Sequence, residues 1–286
     1  MKSEKSLVSI CIPVYNGEDF LKETLDSVIN QTYSNIEIVI TDDLSVDGTE
    51  KIIRSYDDKR IRYFKNDSSK GLAGNWNEAV SKSGGEYIKV LCQDDLLTSD
   101  AIEKQVLALE KSNANCVIGN TKVINSRNQD VFIRKYFKED KVIDGRKFAR
   151  KSLIGRNIYS EPGNILYRAD CFKKYGNYDT ELSYTPDWEF ALRISVNGTI
   201  CCISDFVFSF RISESSETTR LYKKKKKALI ADTDKMVDKI VRNKVLDLNA
   251  FDIFLFKFNI RILSVLRGAV LFFQTRRCKI DIHGFM

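Results

Sequence analysis

Hydrophobic residues in the first 115 positions fall into short β-rich runs separated by stretches of helical spacing. Leu7–Ile12 is an apolar run that ends at Pro13, as a buried strand would. Phe20, Leu21, Leu25, Val28 and Ile29 then follow the spacing of a helix face. The alternation continues: Ile36–Thr41, Ile61–Phe64 and Tyr87–Leu91 predict strands, and Thr49–Tyr56, Asn75–Ser83 and Asp100–Lys111 predict helices. Asp100 with Glu103 has the form of a capping box at the start of the last helix. After about Val117 the rhythm turns irregular. Asn164–Tyr167 and Val207–Arg211 predict strands, Trp188–Val196 a helix, and Leu221–Arg242 a charged helix.

Strand–helix alternation of this kind implies an α/β fold, with a mostly parallel sheet covered by helices on both faces. Ligands of such sheets bind beyond the carboxyl ends of the strands. Polar clusters follow the strands directly: Pro13–Asn16, Asp42–Asp47 and Gln93–Asp95.

Phe251–Phe273 is rich in Phe, Leu, Ile and Val, but Asp252, Lys257, Asn259, Arg261 and Arg267 interrupt it. A spanning helix needs about 20 predominantly apolar residues, so these interruptions argue against one. A basic, aromatic-rich helix lying in a membrane interface and a helix packed on the domain or on another copy both remain open.

Composition narrows the class. The 286 residues are 43% hydrophobic and 30% charged, as in a globular chain. With only 3 prolines and 14 glycines, most of the length is expected in regular structure. The 7 cysteines are odd in number and lack a Cys-x-x-Cys pair, which fits buried thiols in a reducing, cytoplasmic compartment. Met1–Ser6 is charged with no apolar stretch behind it, so no signal peptide is expected. A net charge of +7 suggests an anionic surface or substrate. Much of the excess lies in Lys223–Lys227 and Arg276–Lys279, and a solvated helix face accounts for the first run.

Asp42 and Asp43 end an expected buried strand, and Asp47-Gly48-Thr49 opens a helix. Such carboxylates can accept hydrogen bonds from a base or ribose, though Asp and Gly are also ordinary turn residues. Gln93-Asp94-Asp95 follows a strand expected to be buried on both faces. Adjacent carboxylates there repel each other unless donors or a cation balance them. A hard divalent ion shared with a substrate diphosphate supplies that balance, and a solvated turn remains the alternative. Asp187 precedes Trp188–Val196. It is either a helix-start residue favoured by the dipole or a general base in a cleft, and spacing does not choose.

The ordered set does more than its parts. Val8-Ser-Ile-Cys-Ile-Pro-Val-Tyr-Asn16, Gln31-Thr32-Tyr33, Ile38-Val-Ile-Thr-Asp-Asp43, Asp47-Gly48-Thr49, Gly84-Gly-Glu-Tyr-Ile88, Gln93-Asp94-Asp95 and Pro186-Asp187 occur in one order between Leu7 and Arg211. Together they resemble the family-2 glycosyltransferases, whose catalytic domain has the GT-A fold, a Rossmann-like arrangement. The resemblance implies that Pro13 and Tyr15 line a nucleotide pocket, with Tyr15 near the base, and that Asp43 binds a uracil-type ring. Asn75, Asn77 and Gln93 fall on its donor side, and Asp94 on the metal-binding carboxylate of Asp-x-Asp. Asp187 falls on the general base. Glu161, Gly163 and Asn164 are expected to meet the acceptor.

The chain departs from the family pattern where Cys92 replaces the first Asp of Asp-x-Asp and Pro186 replaces the Glu before the base. Ser213 stands where many relatives carry a His, and His283 is too near the terminus to replace it. The resemblance implies a catalytic domain over 1–215, with a nucleotide-binding half over about 7–115 and an acceptor half over about 116–215. A helical extension over 216–286 follows, suited to a membrane surface or an oligomer contact. It also implies an inverting UDP-sugar transferase using Mn²⁺ or Mg²⁺, acting on a lipid-linked or oligosaccharide acceptor in cell-envelope or capsule polysaccharide synthesis. The expected location is cytoplasmic, peripheral to the inner face of the plasma membrane. A nucleotidyltransferase would want a Gly-rich, basic phosphate loop after the first strand, and Pro13-Val-Tyr-Asn-Gly17 is not one. Acidic clusters at strand ends also count against a nucleic-acid binder. A non-catalytic nucleotide-binding scaffold is the remaining alternative.

Overall fold

The structure, a computed structural model, describes residues 5–155, 157–213 and 226–262. In the first half β1 (Val8–Val14) lies between β2 (Ile36–Asp42) and β4 (Tyr87–Val90), with β3 (Ile61–Lys65) outside β2, all parallel. The register pairs Ile10 with Ile38 and Ile12 with Ile40. These four side chains pack on one face with α1 (Leu21–Ile29) and α4 (Ala101–Glu110). Cys11, Val39 and Val90 point to the other face, against α3 (Gly71–Ser81). Period-two alternation with both faces buried is what makes these strands read as near-continuous apolar runs. A short helix, α2 (Thr49–Arg54), joins β2 to β3.

The second half extends the same sheet. β5 (Leu96–Leu97), β6 (Cys116–Ile124), β7 (Asp130–Arg134), β8 (Lys141–Asp144), β9 (Ile165–Arg168) and β10 (Thr199–Arg211) complete ten strands. The order along the sheet is β3-β2-β1-β4-β9-β6-β10-β5, with β7 beside β6 and β8 beside β10. β9 runs antiparallel to β4 and β6, while β6 and β10 are parallel, so the second half is mixed. Helices α5 (Gly145–Ile154), α6 (Asp170–Tyr175) and α7 (Pro186–Ser195) cover the α3 face.

β6 escaped the apolar-run signal because it buries Gly119, Asn120 and Thr121. Asn120 donates to the Phe137 and Ser204 carbonyls and accepts from the Phe137 amide, so its polar atoms are paired. β10 is broken by register shifts between Cys202 and Phe208, which interrupts its period. The expected capping box at α4 does not form. Lys104 and the Thr98 hydroxyl engage Asp100, and Glu103 accepts from Thr32. Gln31 caps the helix instead, accepting from the Ile102 amide at 3.1 Å and donating to the Thr98 and Ser27 carbonyls. The Gln31-Thr32-Tyr33 motif is therefore a brace between α1 and α4.

α8 (Lys226–Arg242) and a helical segment over 250–262 pack on the α3 face. Met236, Val237, Ile240, Leu246 and Phe256 join the same core as Phe190 and Trp188, so this extension shares the core of the sheet. Leu221–Lys225, Leu263–Phe273, Arg276–Lys279, Cys278 and His283 lie outside the described residues. The described cysteines are all free. No helix among the described residues is long and apolar enough to cross a membrane.

Candidate active site

Strand direction gathers the polar segments at one edge. β1, β2, β4, β6 and β10 all run the same way, and antiparallel β9 begins where they end. Tyr15 thus follows β1, Asp43 follows β2, and Gln93-Asp94-Asp95 follows β4. Glu161 precedes β9 at the same edge, and Arg211 ends β10.

The groups expected on the donor side form a tightly paired set. Asp43 Oδ1 accepts from Asn66 Nδ2 at 2.9 Å and the Lys70 amide at 2.6 Å. Its Oδ2 accepts from Ser69 Oγ at 2.9 Å and the Gly71 amide at 3.0 Å. Burial works against ionisation here, yet these four donors hold the carboxyl below its usual range. Asn75 is buried; its amide donates to the Val14 and Thr41 carbonyls and its oxygen accepts from Asn66. Asn77 brackets the backbone of Tyr178, donating to its carbonyl and accepting from its amide, both at 2.9 Å. Gln93 brackets Tyr15 in the same manner, accepting from its amide at 2.8 Å and donating to its carbonyl at 3.0 Å. Pro13 is buried within β1, whereas the Tyr15 side chain is 57% exposed above this frame and free to stack on a planar ring.

Asp94 and Asp95 have separate roles. Asp95 is buried and structural: its Oδ1 accepts from the Arg211 amide at 2.9 Å, and its carbonyl accepts from Thr24. Burial, followed by the charge of Asp94, raises its pKa. Asp94 keeps part of its surface exposed, and burial pushes its carboxyl up to about 6. Arg211 locks the loop between them. It is fully buried and donates to the Asp94 carbonyl at 2.7 Å, to Glu23 at 2.7 Å and to Asn128 at 2.7 Å. Its guanidinium lies 4.4 Å from the centre of the Phe20 ring.

Asp187 is the second residue of α7, after Pro186 at the first helical position, where a missing amide costs nothing. Burial, then the nearby charge of Glu161, outweighs the amides of Trp188 and Asp187 and pushes its carboxyl up to about 7. Glu161 is held by Arg134 at 2.6 Å and by Ser160. Desolvation raises the pKa of the half-buried Cys92 thiol, and the charges of Asp95, Asp94, Asp187 and Glu161 add to that rise. Gly163 and Asn164 lie deeper. A side chain on Gly163 would strike the Phe208 ring at 2.3 Å, and Asn164 is fully buried, bonded to Gly119 and Tyr159.

Comparison with known proteins gives this edge its family. The sequence profile described as Glycosyl transferase family 2 matches residues 9–176, more than half of the chain. The chain belongs to glycosyl transferase family 2. Among its family-2 relatives, an uncharacterised glycosyltransferase of Rickettsia typhi is 34% identical over 64% of this chain and 57% of its own length. The UDP-Glc:alpha-D-GlcNAc-diphosphoundecaprenol beta-1,3-glucosyltransferase WfgD of Escherichia coli is 36% identical over 42% of this chain and 47% of its own. The chain thus spans about half the length of these curated relatives. The structure of S. aureus TarS residues 1–349 in complex with UDP-GlcNAc superposes with a TM-score of 0.68 at 18% identity, covering 87% of this chain and 69% of TarS. That likeness identifies the fold as GT-A.

Family-2 motifs did not reveal the residues that hold the site together. Arg211, Arg134 and Asp232 leave no local signal, because their partners lie far away in sequence. Lys89 is another. It is fully buried with its ammonium nitrogen 2.7 Å from the Gly163 carbonyl, and burial lowers its pKa to about 7. It ties β4 to the turn before β9.

Proposed function

We propose that this chain transfers a sugar from a nucleoside diphosphate sugar, with UDP as the favoured nucleotide, to an acceptor hydroxyl with inversion at the anomeric carbon. The observation that carries this reading is Asp187: a half-buried carboxylate in the first turn of α7, with its pKa pushed up to about 7 by loss of hydration and by the charge of Glu161. A base whose pKa lies near the working pH is well matched to removing a proton from a hydroxyl. Asp187 takes that proton as the hydroxyl attacks, and the nucleoside diphosphate leaves from the opposite face. The exposed Tyr15 ring stacks on the base of the donor. Asp43 faces the same ring and shapes the Ser69–Gly71 turn around it. Glu161, kept in place by Arg134, receives acceptor hydroxyls, while Gly163 and Asn164 support its turn.

A divalent ion fits one residue of this loop. Asp94 keeps part of its surface open and its carboxylate makes no ion pair among the described contacts, and Mg²⁺ commonly takes a single carboxylate plus substrate phosphates. Among the described residues no group of three ligating side chains forms a closed site. Asp94 would hold the ion, whose chemistry would be to neutralise charge on the departing diphosphate.

The E. coli relative named for a diphosphoundecaprenol-linked acceptor supports a lipid-linked glycan here, in cell-envelope or capsule polysaccharide synthesis. Phe251, Phe254, Phe258 and Ile262 are exposed along one side of the 250–262 helix, and Phe254 stacks on Phe258 at 6.0 Å. An aromatic face flanked by Lys257 and Arg261 suits the interface of an anionic bilayer and a peripheral place at the cytoplasmic leaflet. The function is tested by incubating purified protein with a panel of UDP-, GDP- and dTDP-sugars, with and without Mn²⁺, and measuring released nucleotide. Turnover of one donor by the wild type, lowered by ~10²–10⁴ in Asp187→Asn, is the expected result. Nucleotide binding without turnover of any donor would favour the scaffold alternative.

A further inference from the structure

The loop over 176–185, between α6 and α7, presents the base but has no regular structure of its own. It is gripped from two sides. Asn77, from α3, holds the backbone of Tyr178. At the other end stands Asp232 of α8, buried, from the C-terminal extension. Its Oδ1 accepts from the Ser183 amide at 2.8 Å, and its Oδ2 from the Tyr184 amide at 3.0 Å and the Thr185 hydroxyl at 2.8 Å. Lys239–Asp179 at 2.5 Å and Lys235–Glu181 at 3.3 Å continue the seam between α8 and this loop.

The Thr185 contact has a local consequence. Thr185 is the N-cap of α7, a position whose hydroxyl normally accepts from a first-turn amide. Here it makes no such bond and donates to Asp232 instead. Asp187 follows two residues later in the first turn of the same helix, so the clamp on Thr185 sets where that turn begins. We infer that Asp232 is a positioning residue for catalysis, holding the 183–185 turn, and with it the Asp187 carboxylate, in working geometry at the sheet edge. The inference rests on the reading of Asp187 as general base. It makes the C-terminal extension part of the active-site structure.

The test uses the full chain and the donor it turns over, with kcat, donor KM and UDP affinity measured from pH 5.5 to 9. Asp232→Ala removes all three contacts. It is expected to lower kcat roughly 10- to 100-fold, as small misplacements of a reacting group do, with KM and UDP affinity within about twofold. Asp232→Asn and Thr185→Val keep the shape and each weaken the clamp, so smaller losses of kcat alone are expected. They decide the question if the alanine variant does not fold. In Asp232→Asn the acidic limb of kcat also moves to lower pH. A negative charge facing Asp187 has gone, while Glu161, Cys92, Tyr167 and Tyr178 still face it. Wild-type kcat and an unmoved limb in the variants would overturn the inference. So would kcat and UDP affinity falling together, the mark of general loosening. Asp187→Asn separates the two ideas: wild-type turnover in that variant, or a chain that turns over no donor, would sink the base assignment itself.

Discussion

Two carboxylates at the same edge of the sheet are treated in opposite ways. Asp43 receives four hydrogen bonds and stays below the usual carboxylate range. Asp187 is half-buried, feels the charge of Glu161, and is pushed up to about 7. A carboxylate with all its acceptor positions filled is a fixed, permanently charged wall, suited to shaping a binding turn. One that is dehydrated and crowded by like charge is poised to pick up a proton. Asp43 thus reads as part of a preformed frame and Asp187 as a group held ready for proton chemistry.

The largest expected effect falls on the poised side. Asp187→Asn should lower kcat by ~10²–10⁴, the usual worth of general base action, while UDP affinity by calorimetry stays at the wild-type value. Asp94→Ala comes next. UDP affinity measured with Mn²⁺ should drop roughly tenfold, about 1.4 kcal/mol, and change little when the metal is chelated. Equal affinities with and without Mn²⁺ in the wild type would remove the metal from the account.

Stability sharpens the contrast through its sign. The folded pKa of Asp187 lies above that of the unfolded chain, so the folded state binds the proton more tightly. Its ionisation therefore destabilises the fold increasingly as pH rises from about 4 through about 7. Asp187→Asn should melt higher than wild type at pH 8, with the gain shrinking toward pH 4. A chain of this size gains about 2–4 °C per kcal/mol. Asp43 has the opposite sign: its stabilising bonds are present above the ordinary carboxylate pKa and are lost as pH falls through the lowered folded value.

Smaller effects lie away from the chemistry. Gln31→Ala removes the cap of α4 and should cost about 1–2 kcal/mol in denaturant titrations, leaving kcat and KM unchanged. Replacing Phe254 and Phe258 with serine should weaken binding to anionic vesicles without altering release of UDP from a soluble donor. Unchanged vesicle binding would direct that face toward a protein contact.

The central strands β1, β2 and β4 were readable because they are buried on both faces and read as mostly apolar runs. β6 was not, since its buried Gly119, Asn120 and Thr121 look like loop residues until their distant partners are known. The positions of Asp43 and Asp94 just after their strands followed from the strand–helix alternation, and Asp187 was placed only by the family resemblance. Their differing environments followed from neither, because those depend on Arg211, Arg134 and Asp232, which reach them across the fold. Asn75 and Asn77 fall in the expected donor-side segment, yet both amides are occupied by backbone.

The central claim is that Asp187 is the base, poised by burial. Its most direct test is the pH dependence of kcat for the donor found in the nucleotide-sugar panel, in wild type and in Asp187→Asn. The account predicts a wild-type rate that rises with pH to a plateau, half-maximal near pH 7, and a variant whose residual rate lacks that limb. A variant that retains both the rate and the limb would contradict it.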